Sequence, residues 1–215
     1  MLLTNTQDHF HQKKKKMKIL IIGGTGVIGK KVTERLVRSH AVIVAGQQTG
    51  SILVDMEKPE SIAGMFRNTG HFDAIVCIIG GAKWDRIEKL SEEDYYHAIR
   101  SKLMGQVNLV RIGKDFVTGG GSITLTTGIL GDEPQPGTTA AAMVNGAIHS
   151  FVKAVDLELD TLRVNVVCPD VVEDSWNKLK DFFPGHTPVP MDKVVDGYIK
   201  SIEGNIRGEI IRISA

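Results

Sequence analysis

Three glycines spaced three residues apart, Gly23, Gly26 and Gly29, form the segment whose spacing points most directly to chemistry. They follow an apolar run at residues 19–22 and precede a segment, from Val27 onward, with helical periodicity. A glycine turn between a buried strand and a helix lets backbone N–H groups approach a pyrophosphate, and the start of the helix adds partial positive charge. The segment therefore predicts a dinucleotide site, although a turn that binds nothing would also tolerate these glycines.

Each glycine of this turn is expected to have its own task. Gly23 permits a sharp turn, Gly26 lets the backbone come close to the phosphates, and Gly29 lets the helix press against the strand. Ligands of open α/β sheets bind beyond the carboxyl ends of the strands, where the strand order reverses. We therefore expect the site beside the end of the first strand.

Strands and helices must alternate along the chain to hold this turn, and the sequence predicts that they do. Strands are predicted over residues 19–22, 41–45, 52–54, 72–79, 122–126, 162–168 and 209–213. Helices are predicted from residue 27 onward and over residues 59–68, 91–116, 139–159, 176–182 and 191–203. The pattern predicts a single α/β domain with a doubly wound parallel sheet of the Rossmann type and helices on both faces.

Two places in this pattern are irregular. Only about half a dozen residues separate the second strand from the third, which is fewer than a helical crossover needs. The third strand is therefore expected to be short and to lie at the sheet edge. Gly119 to Gly121 is expected to interrupt the chain before the strand at residues 122–126.

The composition excludes several classes of protein. Of the 215 residues, 42% are hydrophobic and 24% are charged, and the net charge of +1 provides no basic face for nucleic acid. No apolar run is long enough to cross a bilayer, so no membrane partner is expected. Cys77 and Cys168 lie in apolar, strand-like runs, and we expect buried thiols of a cytoplasmic protein without a metal site.

The first 16 residues differ from the rest of the chain. They are polar, end in four lysines at residues 13–16, and lack the apolar centre of a secretory signal. We expect a disordered basic leader over residues 1–16 and one dinucleotide-binding domain over residues 17–215.

With these elements placed, the chain resembles the short-chain dehydrogenase/reductase family from Met17 almost to its end. The landmarks occur in the family's order: the glycine turn, Asp55 after the third strand, and Gly80 closing the fourth. Two longer motifs follow, Lys102-Leu-Met-Gly105 in a helix and Arg163-Val-Asn-Val-Val-Cys-Pro169 in the sixth strand. Within the family the chain looks like its small, divergent members.

The resemblance implies a set of residues that hold the dinucleotide. The set contains the pyrophosphate neighbours Gly23, Thr25, Gly26, Val27 and Ile28, the adenine neighbours Asp55 and Met56, the ribose neighbours Ile79, Gly80 and Gly81, and the nicotinamide neighbours Pro169 and Val171. Asp170, between the last two, stands where the family usually has glycine.

The preferred cofactor depends on the end of the second strand. An acidic residue there would accept hydrogen bonds from the ribose 2′-hydroxyl of NAD and repel the 2′-phosphate of NADP. The sequence has no acidic residue there, and Gln47 stands where many NADP-preferring relatives have arginine. We therefore predict NADP, with NAD as a second ligand, because Gln47 brings no charge to discriminate strongly.

The usual catalytic residues of the family are only partly present. Typical members use a tyrosine as proton donor, a lysine four residues later, and a serine that positions the substrate oxygen. The tyrosine and lysine positions fall on Ala141 and Asn145, and neither side chain can do that work. The serine position falls near Thr127, and Lys102 replaces an asparagine that the family has in the long helix.

Three hypotheses follow from this substitution. In the first, the protein is an oxidoreductase of a small carbonyl or alcohol substrate, with Lys102 as charge or proton donor, Thr127 orienting the substrate, and Asn145 bonding the ribose or the substrate. In the second, it binds NADP without turnover, as a sensor or regulatory protein. In the third, the glycine turn is vestigial and the protein is an interaction module.

The two long helices form the dimer interface in relatives, which implies a homodimer or higher homo-oligomer.

Overall fold

The computed structural model describes residues 15–215 of the chain. Within this range, seven strands lie in one parallel sheet: β1 Lys18–Ile22, β2 Ala41–Gly46, β3 Ile52–Leu53, β4 Phe72–Cys77, β5 Val117–Thr126, β6 Arg163–Pro169 and β7 Ile210–Ile213. The leader predicted over residues 1–16 lies, apart from Lys15 and Lys16, outside the described residues and stays a prediction.

The strands alternate with helices, as the sequence predicts. In the described part of the chain these are α1 Val27–Leu36, α2 Pro59–Thr69, α3 Glu92–Ala98, α4 Gly105–Gly113, α5 Thr139–Asp156, α6 Glu173–Leu179 and α7 Met191–Glu203. A π-helical turn, Ile99–Met104, joins α3 directly to α4. None of the helices within residues 15–215 has the length and apolar character that a membrane span requires.

The sheet order β3-β2-β1-β4-β5-β6-β7 confirms the doubly wound Rossmann-type fold. The order reverses at β1, which pairs with β2 on one side and with β4 on the other. Ile22 at the end of β1 pairs with Ala45 and Cys77, so the three strands end level with one another. The third strand is two residues long and lies at the edge, as predicted.

The core consists of two apolar layers, one on each face of the sheet. Leu20 and Ile22 belong to the layer under α2, α4 and α5. Ile19 and Ile21 belong to the layer under α1 and α7. Because successive strand residues point to opposite faces, the apolar run of β1 must be buried on both sides, and all four side chains have no exposed surface.

Two predicted boundaries are wrong. The Gly119–Gly121 segment does not interrupt the chain before β5 but lies inside that strand, because the pairing with β4 shifts register between Phe72 and Ala74 and absorbs the extra residues. The helix predicted over residues 91–116 is regular only over α3 and α4, since the π-helical turn widens its middle. Apolar spacing predicts a helix there but contains no signal for a wider turn.

Tyr198 provides a test of how α7 is held on the sheet. Its side chain is fully buried, and its hydroxyl lies 2.8 Å from Oγ1 of Thr126 in β5. Thr126 Oγ1 donates its own proton to the backbone carbonyl of Cys77 at 2.6 Å, so the tyrosine hydroxyl must be the donor to Thr126. This hydrogen bond connects α7 to two adjacent strands.

We expect Tyr198→Phe to lower the free energy of unfolding by about 1 kcal/mol, because a buried hydrogen bond is lost while the ring still fills its space. Urea denaturation measures the difference. The matched control is Tyr96→Phe, since Tyr96 is 47% exposed and the same change there should have almost no effect. Equal losses in the two variants would contradict this account of α7.

Candidate functional site

The glycine turn connects β1 to α1 beside the end of β2. Gly23 has a positive φ of 82°, and its N–H donates to the carbonyl of Ala45 at 2.9 Å. A Cβ on Gly29 would overlap the carbonyl oxygen of Gly23, so the packing of helix on turn requires glycine there. At Gly26 the nearest protein atom to a Cβ would be 3.5 Å away, and the protein itself has room for a methyl group. The absence of a side chain at Gly26 is therefore explained better by an approaching ligand than by packing.

The start of α1 is open to solvent. Gly26 is the N-cap, no side chain of the described residues caps the helix, and its first turn contains no acidic residue. Val27, the first residue of the helix, is 57% exposed. Free N–H groups and the positive end of the helix dipole at an accessible surface suit an anionic ligand such as a pyrophosphate.

The loop after β2 is tied to this turn. Thr25 Oγ1 lies 2.8 Å from Thr49 Oγ1, and this contact ties the turn to the loop that contains the exposed residue Gln47. Ile28 faces inward and packs on the apolar layer under α1. Contact of Thr25, Ile28 and Gln47 with a dinucleotide stays a prediction.

Asp55 and Met56 have local contacts of their own. The carboxylate of Asp55 accepts from the backbone N–H of Glu57 at 3.1 Å and pairs with Lys58 at 3.1 Å. The side chain of Met56 is buried in the apolar layer, against Gly105. Contact of these two residues with an adenine stays a prediction.

The three candidate catalytic residues lie around one cavity of about 220 Å³ beyond the ends of β4 and β5. Its wall contains Lys102, Thr127 and Asn145, with Gly80, Gly81 and Ala141 beside them. Ala141 lines the cavity with a methyl group, and its correspondence to the family's tyrosine stays a prediction. Ile79, next to Gly80, closes the gap toward the glycine turn, since its Cγ2 would be 2.8 Å from a Cβ on Gly23.

Lys102 enters the cavity from the π-helical turn. Gly80, with φ of 93°, allows the two backbones to meet, because a Cβ on Gly80 would lie 2.7 Å from Cβ of Lys102. Within residues 15–215 no carboxylate oxygen lies within 4.0 Å of the amine of Lys102. Burial lowers the pKa of Lys102 to about 8, and the thiols of Cys77 and Cys168 oppose this only weakly. A lysine with this pKa exchanges a proton near neutral pH.

Asn145 lines the same cavity and has a buried, unused acceptor. The residue is 4% exposed, its amide nitrogen donates to the carbonyl of Gly128 at 3.3 Å, and its Oδ1 has no hydrogen-bond partner among the described residues. A buried acceptor without a donor costs about 1–3 kcal/mol. A hydroxyl group of a bound ligand would satisfy it.

Thr127 is held by a residue that the sequence analysis did not select. Its Oγ1 lies 2.8 Å from Nε2 of His149, whose Nδ1 is 3.5 Å from Oδ1 of Asp132. His149 follows Asn145 by four residues on α5, so helical spacing places both on one face and was a usable signal. Asp132 lies in a loop, where spacing carries no such signal.

The segment after β6 is held in place by Asp170. Val171 is buried, and its N–H donates to Oδ1 of Asp170 at 2.6 Å. The other oxygen of Asp170 lies 2.7 Å from Nδ1 of His186, which ties Pro169 and the end of β6 to the loop after α6. Asp170 therefore caps a loop in place of the family's glycine, and its carboxylate is engaged within the protein.

Comparisons with known proteins agree with this fold. A family model described as enoyl-(acyl carrier protein) reductase matches residues 22–187. The protein lin1944 from Listeria innocua is 42% identical, covers 91% of this chain and 98% of its own length, and superimposes with a TM-score of 0.89.

Two further solved structures are similar over nearly the whole chain. A small-chain dehydrogenase is 25% identical over 94% of this chain and 97% of its own, with a TM-score of 0.81. A small-chain dehydrogenase in complex with NADPH is 24% identical over 93% of this chain and 97% of its own, with a TM-score of 0.83. This similarity shows that the two proteins share the fold. A comparison with curated proteins gave no match.

Lys102→Met tests the environment of the buried amine. The unfolded chain holds the lysine proton up to a pKa of about 10.5 and the folded protein only up to about 8, so the stability of the wild type should rise with pH between these values. The Lys102→Met variant has no buried amine whose protonation opposes folding. We expect its free energy of unfolding to exceed that of the wild type at pH 7 by at most about 3 kcal/mol, and this excess to shrink toward pH 10.5.

Urea denaturation at several pH values measures this difference. Lys89→Met, which removes an exposed lysine, is the control and should show a difference that does not change with pH. A difference for Lys102→Met that is equal at both ends of the range would show that the amine is solvated in the folded protein.

Proposed function

The chain belongs to the short-chain dehydrogenase/reductase family, and from this premise we propose that it is an NADP(H)-dependent oxidoreductase of a small carbonyl or alcohol substrate with altered catalytic residues. The observation that carries the proposal is the open, uncapped start of α1 beside Gly26, a glycine that packing does not require. The similar NADPH-bound small-chain dehydrogenase supports the same ligand.

The residues around the two parts of the site fit a dinucleotide. The N–H groups of Val27 and Ile28, at the start of α1, would bind the pyrophosphate, whereas the N–H of Gly26 donates to the carbonyl of Gly23 at 3.2 Å. Asn145 Oδ1 would accept a hydrogen bond from a ribose or substrate hydroxyl. Gly81, between the glycine turn and the cavity, leaves room for the middle of the ligand, because a Cβ there would have no protein atom within 4 Å. The unpaired acceptor of Asn145 is the local sign that a polar ligand completes the site.

The preference for NADP over NAD is proposed from the end of β2. Gln47 is exposed there, and its amide can donate to a 2′-phosphate, whereas no carboxylate stands at that position to select a 2′-hydroxyl. Because the amide carries no charge, we expect NADPH to bind more tightly than NADH by only a modest factor.

When bound, the dinucleotide supplies or accepts the hydride, and the protein must manage the charge and the proton at the substrate oxygen. Lys102 faces that oxygen with an amine that is protonated below a pKa of about 8 and stabilises the developing negative charge. The hydroxyl of Thr127 orients the oxygen by a hydrogen bond. Ala141 contributes space and no proton, so these two residues replace the family's tyrosine and lysine.

A homodimer is proposed from the outer faces of the π-helical turn and α5. Met104 and Met143 are 37% and 43% exposed on these neighbouring elements. Exposed methionines adapt to an apolar partner surface, and a second copy of the chain would cover both. Sedimentation velocity measures the oligomeric state.

The buried free thiols Cys77 and Cys168 are compatible with the cytoplasmic location, which stays a prediction.

Gly26→Ala tests the dinucleotide site directly. Its backbone angles suit alanine and the protein leaves room for the methyl group, so the fold should be retained while the methyl group stands where the phosphates approach. We expect the Kd for NADPH to rise at least tenfold, as measured by calorimetry, with an unchanged melting temperature.

Gly64→Ala in α2 is the matched control, because its new Cβ would also be clear of other atoms by 3.6 Å, away from the glycine turn. It should bind NADPH like the wild type. Unchanged affinity in Gly26→Ala, or no binding of either dinucleotide to the wild type at millimolar concentration, would contradict the proposal.

Turnover is tested by the oxidation of NADPH with a panel of aldehydes and ketones. We expect Lys102→Met and Thr127→Val each to lower kcat by a factor of roughly 100 or more, because each removes stabilisation of the oxyanion. The Lys89→Met variant serves again as the control. Tight NADPH binding without turnover of any compound would favour the sensor hypothesis, and activity unaffected by both changes would remove Lys102 and Thr127 from the mechanism.

A further inference from the structure

We propose that Thr127 and His149 form a proton relay at the substrate oxygen, with the imidazole oriented by Asp132, and that this relay replaces the missing tyrosine. The proposal rests on the oxidoreductase function proposed above and assigns the proton to this relay, which leaves Lys102 to supply charge. It depends on two contacts: Thr127 Oγ1 to His149 Nε2 at 2.8 Å, and His149 Nδ1 to Asp132 Oδ1 at 3.5 Å.

The orientation of the imidazole is set by Asp132. A carboxylate facing Nδ1 favours the proton on that nitrogen in both the neutral and the charged ring, so only Nε2 gains or loses a proton. Nε2 faces Thr127, and Thr127 lines the cavity that contains Lys102 and Asn145. The one exchangeable proton of His149 therefore points at the catalytic hydroxyl.

Asp132 is kept ionised by a second partner. Arg212 on β7 donates to both of its carboxylate oxygens, at 2.8 and 3.0 Å, and this lowers the pKa of Asp132. Gly131 allows the loop to approach α5, because a Cβ there would lie 3.0 Å from both His149 Cε1 and Asn145 Cβ. The loop is thus built to bring a permanent negative charge to His149.

The proton step balances in both directions. During alcohol oxidation the substrate O–H bond breaks and its proton goes to the oxygen of Thr127, while the Thr127 O–H bond breaks and its proton goes to Nε2 of His149. During carbonyl reduction the protonated His149 returns a proton to Thr127, which passes its own to the oxygen that has gained the electron pair of the C=O bond. Solvent exchanges the proton of His149 between turnovers.

A metal ion is the competing interpretation of this cluster. Ligand atoms of Asp132, His149 and Cys168 lie within 4.8 Å of one another. However, the guanidinium of Arg212 occupies both oxygens of Asp132 and repels a cation. The cluster suits a proton better than a metal.

The charges around His149 determine how it titrates. Burial lowers the pKa of His149 from its usual value, Asp132 opposes this, and Arg212 and Lys153 add to it. The groups facing the ring from the sheet are Thr127 and the Cys168 thiol, and burial raises the pKa of that thiol to about 11. The lowered pKa favours the neutral ring, which can accept a proton.

The first experiment uses NMR on the ligand-free protein, so it is independent of turnover. His149 is assigned with His149→Gln, and its ring nitrogens are followed with pH. We expect the neutral ring to carry its proton on Nδ1, and Asp132→Asn to lower the pKa by roughly one unit further. A neutral ring protonated on Nε2, or a pKa that does not respond to Asp132→Asn, would overturn the relay.

The second experiment uses the pH dependence of alcohol oxidation with NADP. In the wild type kcat should rise with pH through the pKa of His149, and His149→Gln should lose this ionisation and about 100-fold in kcat while KM and the Kd of NADPH stay within threefold. His97→Gln is the matched control, because His97 is exposed beside Glu57 and should leave the profile unchanged. Thr127→Ser should recover most of the activity that Thr127→Val loses.

The two proposals fail in different ways. Activity with an unchanged pH profile in His149→Gln would overturn the relay and leave the oxidoreductase function intact. Protein that binds no dinucleotide would overturn the proposed function and the relay's role in it, even with the expected NMR result. Tight binding of Zn²⁺ that displaces the NMR signals of His149 would favour the metal interpretation and overturn the relay.

Discussion

Parallel pairing of β1 with β2 on one side and β4 on the other is the constraint on which the site depends. The register brings Ile22, Ala45 and Cys77 level, so the three chains leave the sheet at the same height. The chain after β1 turns into α1 on one face, and the chain after β4 leads toward the π-helical turn on the other. A crevice opens between the two chain segments. The N–H groups of α1 and the cavity lined by Lys102, Thr127 and Asn145 both lie at this end of the sheet.

Some polar groups of the site have partners within the protein, and others lack them. Thr127 is bonded to His149, His149 faces Asp132, and Asp132 is held by Arg212, so each of these groups has a partner. Lys102 and the Oδ1 of Asn145 face the cavity without such partners among the described residues. In a low-dielectric environment the contacts among Thr127, His149 and Asp132 make that part of the site rigid. Lys102 and Asn145 can still form their strongest polar contacts with a ligand.

The cavity presents two different polar groups beside the methyl group of Ala141. One is the amine of Lys102, whose pKa is lowered by burial, and the other is the hydroxyl of Thr127, which contacts the imidazole of His149. The two groups reach the cavity from different elements, Lys102 from the π-helical turn and Thr127 from the end of β5. A single polar atom of a ligand in the cavity could therefore approach both.

Local pattern in the sequence was sufficient for the fold and the glycine turn, because strand and helix periods and turn glycines are properties of neighbouring residues. The grouping of Lys102, Thr127 and Asn145 came instead from the resemblance to the family. Local pattern was insufficient for the wider turn at Ile99–Met104 and for the strand through Gly119–Gly121, where packing and register override apolar spacing. The contacts of Thr127 with His149 and of Asp132 with Arg212 join residues 22 and 80 positions apart. Only the folded sheet brings such groups together, since no period along the chain encodes a distance across it.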